Sequence, residues 1–420
     1  MESCTSWESD YPLARCGFHA SRGQFQSAFT AMNKIRVLLV DDSAVIRRLL
    51  TDTLAHDPDI EVIGMAGNGE IALAKIEQLK PDIITLDIEM PVMDGLATLK
   101  ALRKIHPKLP VIMFSTLTER GSTATMDALA LGASDYVAKP ANVGGVLAGM
   151  DKIRDDLIPK IKALCHRTPV LKATPQAFSP ASRISRAAGA PGAGVEILAV
   201  GVSTGGPNAL AEFVPALGRR FPVPIVIVQH MPPLFTRLLA ERLAAVSGIL
   251  CKEGFEGAIL RPGELWIAPG GFHMEVEKAG PSYRLRLTEE PPENSCRPAV
   301  DVLFRSVAKV FGSKTLAVVL TGMGQDGLRG AEHIRAAGGF TLVQDEASSV
   351  VWGMPGAVAN AGLAEKILPL KELAAEVVAR VQPPSSASPE TAASQARAFF
   401  ARPDLSKQAV PPLNSNKPNS

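Results

Sequence analysis

Disulfide chemistry has little to work with in this chain. Five cysteines, Cys4, Cys16, Cys165, Cys251 and Cys296, lie scattered through 420 residues with no C-x-x-C pair and no metal-type spacing. That pattern argues against a disulfide framework or a zinc site and fits reduced thiols in a cytosol. No run of about 18 apolar residues is present to cross a bilayer. The start carries Glu2, Glu8 and Asp10 with no apolar stretch, unlike a secretory signal. Charge of one sign is lacking too: the net of +2 gives no overall pull toward nucleic acid or membrane. These absences together predict a cytoplasmic protein that does not insert into membranes.

What is present is enough apolar material, 46% of residues, to fill the cores of two domains joined by linkers. Residues 1–33 show no periodicity, and Met32 stands just before the first strong strand pattern, so a later start is an open alternative to a real extension. From Ile35 strand-like IRVLLV, DIEVIGMA, DIITL, PVIMF and DYVAKP alternate with five helical stretches. That alternation predicts a doubly wound parallel α/β sheet over residues 34–158.

The carboxyl ends of these strands carry Asp41-Asp42, Asp87, Ser115-Thr116 and Lys139. In such a sheet those ends share one crevice. Three carboxylates there repel one another, and a hard divalent cation such as Mg²⁺ relieves the repulsion. With a lysine and a hydroxyl opposite, the set suits phosphoryl transfer onto an aspartate.

A basic, acid-free stretch rich in Pro, Ala, Ser and Gly follows and reads as a linker over 159–194. A second domain is expected over 195–381, again mainly parallel α/β and doubly wound. In it GELWIAP, HMEVEK and YRLRLT alternate in polarity like the strands of a small antiparallel hairpin, with a turn at Gly280-Pro281. Residues 382–420 have the composition of a disordered tail.

Three loops interrupt the apolar strands of the second domain. EILAVGVSTGGP places Ser203 at a strand-to-helix corner, PVPIVIVQH ends at His230, and TLAVVLTGMGQDG carries Met323 and Asp326. A serine needs a neighbouring base, and the base needs a third group to fix its tautomer. Ser203, His230 and Asp326 supply one of each, in a chain order unlike that of the α/β-hydrolases. An alternative from another class is a scaffold module whose Gly-rich loop grips an anion. It lacks the G-x-x-x-x-G-K pattern and leaves His230 and Asp326 idle. No basic helix-turn-helix follows the linker to suggest a DNA-binding output.

The first domain resembles the receiver domain of two-component response regulators, through VDDS at 40–43, LDIEMPVMDG at 86–95, FSTLT at 114–118 and DYVAKP at 135–140. The resemblance implies a flavodoxin-like (βα)5 fold with Asp87 as phospho-acceptor, a histidine kinase as phosphodonor and Mg²⁺ as cofactor of phosphorylation. It further implies Asp42, Asp87 and the Glu89 carbonyl as metal ligands, Asp41 supporting them, Lys139 on the phosphoryl group, and Ser115 and Tyr136 as switch residues. The second domain resembles the chemotaxis protein-glutamate methylesterases, through Gly201–Pro207, Gln229–Pro232 with Phe235–Leu243, Ala268–His273 and Thr321–Gly327.

That resemblance implies Ser203 as nucleophile, His230 as base and then acid, Asp326 as orienting carboxylate, and N–H groups near Thr204 and Met323 at the oxyanion. It implies substrates on the cytoplasmic helices of chemoreceptors, glutamyl methyl esters and certain glutamines, with no cofactor for the ester chemistry. Ala299 stands where the family pattern has serine, and Gly254 where alanine is commoner. His273, after the Gly270-Gly271 turn, reads as a structural histidine.

Overall fold

The computed structural model describes residues 34–116, 118–139, 146–165 and 194–381. The expected extension at 1–33, most of the expected linker, Pro140 and the expected tail at 382–420 lie outside these residues.

In the first domain β1 (Ile35–Val40), α1 (Ala44–Leu54), β2 (Ile60–Ala66), α2 (Gly69–Leu79), β3 (Ile83–Asp87), α3 (Gly95–Ile105), β4 (Val111–Ser115), α4 (Glu119–Ala130), β5 (Asp135–Ala138) and α5 (Val146–Leu164) alternate as expected. Short polar residues at the strand ends start the helices. Ser43, Asn68, Asp94 and Thr118 each accept a backbone N–H of the helix that follows, satisfying donors that the first turn leaves free. The strands are parallel in the order β2-β1-β3-β4-β5. Period-two alternation sends Val37, Leu39, Ile112 and Phe114 into a core with Leu50, Leu157 and Ile161. Leu38, Val40, Leu86 and Met113 face the opposite core with Ile76, Leu99 and Leu102.

Helix α5 continues past the boundary expected at residue 158. Within that extension Lys160 donates to the Tyr136 carbonyl at 2.6 Å, and Lys162 pairs with Asp57 and Asp59 at 2.8 and 2.9 Å. Residues 159–164 therefore pack with the first domain and do not read as linker.

The second domain comprises β6 (Ile197–Val202), α6 (Gly206–Ala216), β7 (Ile225–Gln229), α7 (Phe235–Ser247), β8 (Leu250–Glu253), β9 (Glu264–Ile267), β10 (His273–Ala279), β11 (Ser282–Thr288), α8 (Val300–Phe311), β12 (Thr315–Val319), α9 (Leu328–Ala336), β13 (Phe340–Gln344), α10 (Met354–Asn360), β14 (Lys366–Leu368) and α11 (Leu370–Val381). Seven strands form one parallel sheet in the order β14-β13-β12-β6-β7-β9-β8. Only β10 and β11 make the antiparallel hairpin.

The GELWIAP segment is therefore not a hairpin strand. It is β9, buried along its length between β7 and β8, and Glu264 and Trp266 gave it a false half-polar look. One face of the sheet, with Leu198, Val200, Ile225, Ile227 and Val318, packs against Leu210, Phe213, Leu239 and Leu373. The other, with Ala199, Val226, Val228 and Val319, packs against Leu303, Phe304, Val307 and Ile334.

Phe304 is fully buried in that second layer, against α9. Phe304→Ala is expected to lower unfolding free energy by about 3–5 kcal/mol, measured as a shift of the urea midpoint. A shift of less than about 1 kcal/mol would contradict the packing described.

Candidate active site

Chain order in the second sheet reverses at β6, with β7 on one side and β12 on the other. Loops gather in the crevice at such a point. The register pairs Val202 with Gln229 and Gly201 with Val319, so the loops after β6, β7 and β12 leave the sheet side by side. The His230 N–H bonds the Val202 carbonyl at 3.3 Å, and the Ser203 N–H bonds the Thr321 carbonyl at 3.0 Å.

The Ser203 corner is tight. Its carbonyl accepts from the Gly206 N–H at 2.8 Å and from Gln229 Nε2 at 3.0 Å. Gly205 sits at φ +77°, and a Cβ on Gly206 would stand 1.9 Å from Gln229 Oε1. Glycine is needed at both positions, at the first for its backbone conformation and at the second for space.

Asp326 is buried and ties the site together. Oδ2 accepts from His230 Nε2 at 2.8 Å and from the Val300 N–H at 2.6 Å. Oδ1 accepts from the N–H groups of Asp301 and Gly327 at 2.9 and 3.0 Å and from Asn294 Nδ2 at 2.9 Å. Val300 and Asp301 open α8, whose own N-cap residue, Ala299, has no side-chain cap. Asp326 thus caps α8 from another loop. Asp301 returns the service to α9, accepting from the N–H groups of Gly327 and Gly330 at 2.9 and 2.7 Å.

Burial alone would raise the Asp326 carboxyl, but the bonds from His230, Val300 and Asp301 outweigh it and hold it below the usual range. Burial, with Asp326 close by, holds Asp301 above that range despite the Gly330 N–H.

With Nε2 committed to Asp326, His230 turns Nδ1 toward the Cys296 sulfur at 3.6 Å. Burial opposes the imidazolium, yet Asp326 and Cys296 together push His230 up to about 10. A histidine so held favours the imidazolium form. Ser203 Oγ makes no hydrogen bond among the described residues. The structure brings His230 and Asp326 into contact and sets Ser203 beside them without closing the third link.

The backbone N–H groups of Thr204 and Met323 donate to no described protein acceptor. His273 is buried, with Nδ1 accepting from the Ala299 N–H at 3.2 Å and Nε2 near the Pro291 carbonyl at 3.1 Å, a structural role. Sequence reasoning missed Asn294, Cys296 and Asp301. An acidic residue in the first turn of α8 is a signal for Asp301, but nothing local aims the other two.

In the first domain the carboxylate oxygens of Asp41, Asp42 and Asp87 lie within 4.8 Å of one another. A crevice of about 270 Å³ opens there, lined by Asp42, Asp87, Glu89, Ser115 and Lys139 among others. Hard oxygen donors so grouped fit a cation such as Mg²⁺. Lys139 Nζ bridges Asp41 at 2.9 Å and Asp87 at 2.8 Å. Burial raises the Asp87 carboxyl, with Lys139 working against it and Asp41 adding to it. The Ser115 hydroxyl points to the carbonyls of Gly121, at 3.1 Å, and Thr116, at 3.3 Å.

Tyr136 leaves this crevice and stacks on Phe235 of α7, ring centroids 4.6 Å apart and planes 10° apart. Around it Arg237 pairs with Glu119 at 2.9 Å, Arg242 donates to the Met126 carbonyl at 2.9 Å, and Asn208 to the Ala133 carbonyl at 3.3 Å. The α4–β5 face of the first domain thereby covers α6 and α7. Contact reaches the crevice itself: Val351 and Met323 pack into the first domain's core cluster. Burial raises the Asp135 carboxyl, with the Lys160 ammonium and the Tyr136 N–H working against it.

The fold defines a response regulator: a receiver followed by a second, parallel α/β output domain. The model of the response regulator receiver domain matches residues 37–149, and that of the CheB methylesterase domain matches residues 198–377. A protein-glutamate methylesterase/protein-glutamine glutaminase of Trichodesmium erythraeum is 52% identical over 353 residues, covering 83% of this chain and 100% of that protein. One of Nocardioides is 53% identical over 353 residues, covering 83% and 96%. Among solved structures, the Thermotoga maritima CheB methylesterase catalytic domain is 40% identical over 44% of this chain and 97% of that one, with a TM-score of 0.43. The chain belongs to the protein-glutamate methylesterase/protein-glutamine glutaminase family.

The raised His230 has a consequence for stability. A group with a raised folded pKa stabilises fully below its unfolded value and loses that contribution as pH rises through the folded value. The urea midpoint should therefore decline between pH 6.5 and about 10 more steeply in the native chain than in His230→Gln. Equal slopes would contradict the Asp326–His230–Cys296 arrangement.

Proposed function

We infer that the Ser203 crevice hydrolyses glutamyl methyl esters on the cytoplasmic helices of chemoreceptors, releasing methanol, and deamidates receptor glutamines. The activity serves adaptation in chemotaxis and is governed by the receiver. The observation that carries the reading is the His230–Asp326 bond of 2.8 Å at the carboxyl edge of β7, beside the half-buried corner of Ser203.

In the reaction Ser203 Oγ attacks the ester carbonyl while His230 takes its proton. Asp326 holds the ring and stabilises the imidazolium. The N–H groups of Thr204 and Met323 face the developing oxyanion, each such donor being worth roughly 2.7–4 kcal/mol of barrier. The proton then passes from His230 to the leaving methoxide, which departs as methanol, or to the leaving amide nitrogen of a glutamine, which departs as ammonia, and water releases the glutamyl group by the same relay.

In this structure the same histidine has Nδ1 against the Cys296 sulfur at 3.6 Å, a contact that must give way before Nδ1 can serve Ser203. A histidine kinase supplies the phosphoryl group to Asp87. Asp42, Asp87 and the Glu89 carbonyl would hold Mg²⁺, which when bound offsets charge on that group. Phosphorylation removes one partner of the Lys139 bridge, and strain passing through Ser115 and Tyr136 loosens the Tyr136–Phe235 stack. The reading places the protein in the cytoplasm, where receptor helices and kinase meet.

Ser203→Ala should cut methanol release from methylated receptor membranes by about 10⁴-fold or more. Asp87→Asn should keep the basal rate and lose its rise with a small-molecule phosphodonor. Unchanged release in Ser203→Ala would point instead to an anion-binding module.

A further inference from the structure

Between β11 and α8 the chain makes a miniature hairpin. Glu293 and Cys296 exchange backbone bonds of 3.1 and 2.9 Å, and the two residues between them, Asn294 and Ser295, sit at φ +52° and +62°. Two successive left-handed residues are the signature of a type I′ turn, and asparagine tolerates the first of them better than most. The turn is anchored outside by Arg305, which holds both Glu293 oxygens at 2.6 Å. The tip residues are exposed, but the Asn294 amide reaches inward: Nδ2 donates at 2.9 Å to Asp301 Oδ2 and at 2.9 Å to Asp326 Oδ1.

Asp301 and Asp326 are both buried, and no lysine or arginine pairs with either among the described residues. Two carboxylates so placed repel, and one tends to take up a proton. Asp326 escapes through His230 and three backbone donors. For Asp301 Oδ2, Asn294 is the hydrogen-bond donor among the described residues.

We propose that Asn294 is a positioning residue for the ester reaction: its amide bridges Asp301 and Asp326 and fixes the Asp326 carboxylate that aims His230. The inference rests on Asp326 as the orienting carboxylate of the proposed function. Asn294 acts on the ring through Asp326 and does not touch substrate. The charged and titratable groups around it are Asp301, Asp326, His230 and Cys296, with the Glu293–Arg305 pair and His273 behind.

Two variants separate the amide from the turn. Asn294→Gly keeps a residue that accepts positive φ and removes the amide. Asn294→Asp keeps shape and turn and places a third carboxylate in the pair.

The full chain is assayed for methanol release with phosphodonor present. Asn294→Gly should lower kcat by roughly 10- to 100-fold with KM within about twofold, the signature of a misplaced relay with intact binding. For Asn294→Asp the kcat ratio to the native chain should rise as pH falls from about 8 to about 5, as the new carboxyl gains a proton and becomes a donor. A kcat within about twofold of native in both variants across that range, or a loss confined to KM, overturns the proposal. An inactive native chain overturns the underlying reading as well.

A second measurement needs no activity. In Asn294→Gly the urea midpoint deficit against the native chain should shrink from about pH 8 to about pH 5, because a proton on Asp301 relieves the repulsion. A deficit that does not change with pH marks a purely structural turn and overturns the proposal.

Discussion

A single buried carboxylate accepting five hydrogen bonds ties the working parts of the second domain together. Asp326 takes one bond from the imidazole, one from the Asn294 amide and three from backbone N–H groups of Val300, Asp301 and Gly327. An unpaired carboxylate in such a place would cost several kcal/mol. Here the helix that packs beneath the sheet and the base that serves the crevice are stabilised by the same charge. The position where the family pattern has serine and this chain has Ala299 loses little by the change, since Asp326 caps α8 in its stead. Reciprocal capping by Asp301 couples α9 to the same centre, so the geometry of the relay is as rigid as the packing of two helices.

The receiver bears on this centre through packing and charge. Its α4–β5 face stacks Tyr136 on Phe235 and reaches Met323 and Val351 beside the crevice. In this arrangement His230 has its second nitrogen on the Cys296 sulfur, and its neighbours push it up to about 10. In the receiver's own crevice Lys139 bridges Asp41 and Asp87.

Much of this was legible in the amino-acid order. Asp41-Asp42, Asp87, Ser115 and Lys139 could be gathered into one crevice before any coordinates, because strand ends of a doubly wound sheet converge. Ser203, His230 and Asp326 followed from the same geometry. The β9 segment was misread because ELWI carries a glutamate and a tryptophan, and short apolar runs do not declare their partners. The end of α5 was hidden by a basic, acid-free composition whose lysines find their acids far back in sequence, at Asp57, Asp59 and Asp135. Asn294 and Cys296 were invisible for a related reason: they act on loops 32 and 66 residues away, and a contact with another segment leaves no local pattern.

Reaction of Ser203 with a fluorophosphonate, followed by mass spectrometry of the intact chain, tests the central claim most directly. It reads the serine, its base and the cover at once, with no receptor required. The account predicts labelling at Ser203, slow at rest and severalfold faster with Mg²⁺ and a small-molecule phosphodonor. Labelling that is absent in both states, or that proceeds at one rate regardless of phosphodonor, would contradict it.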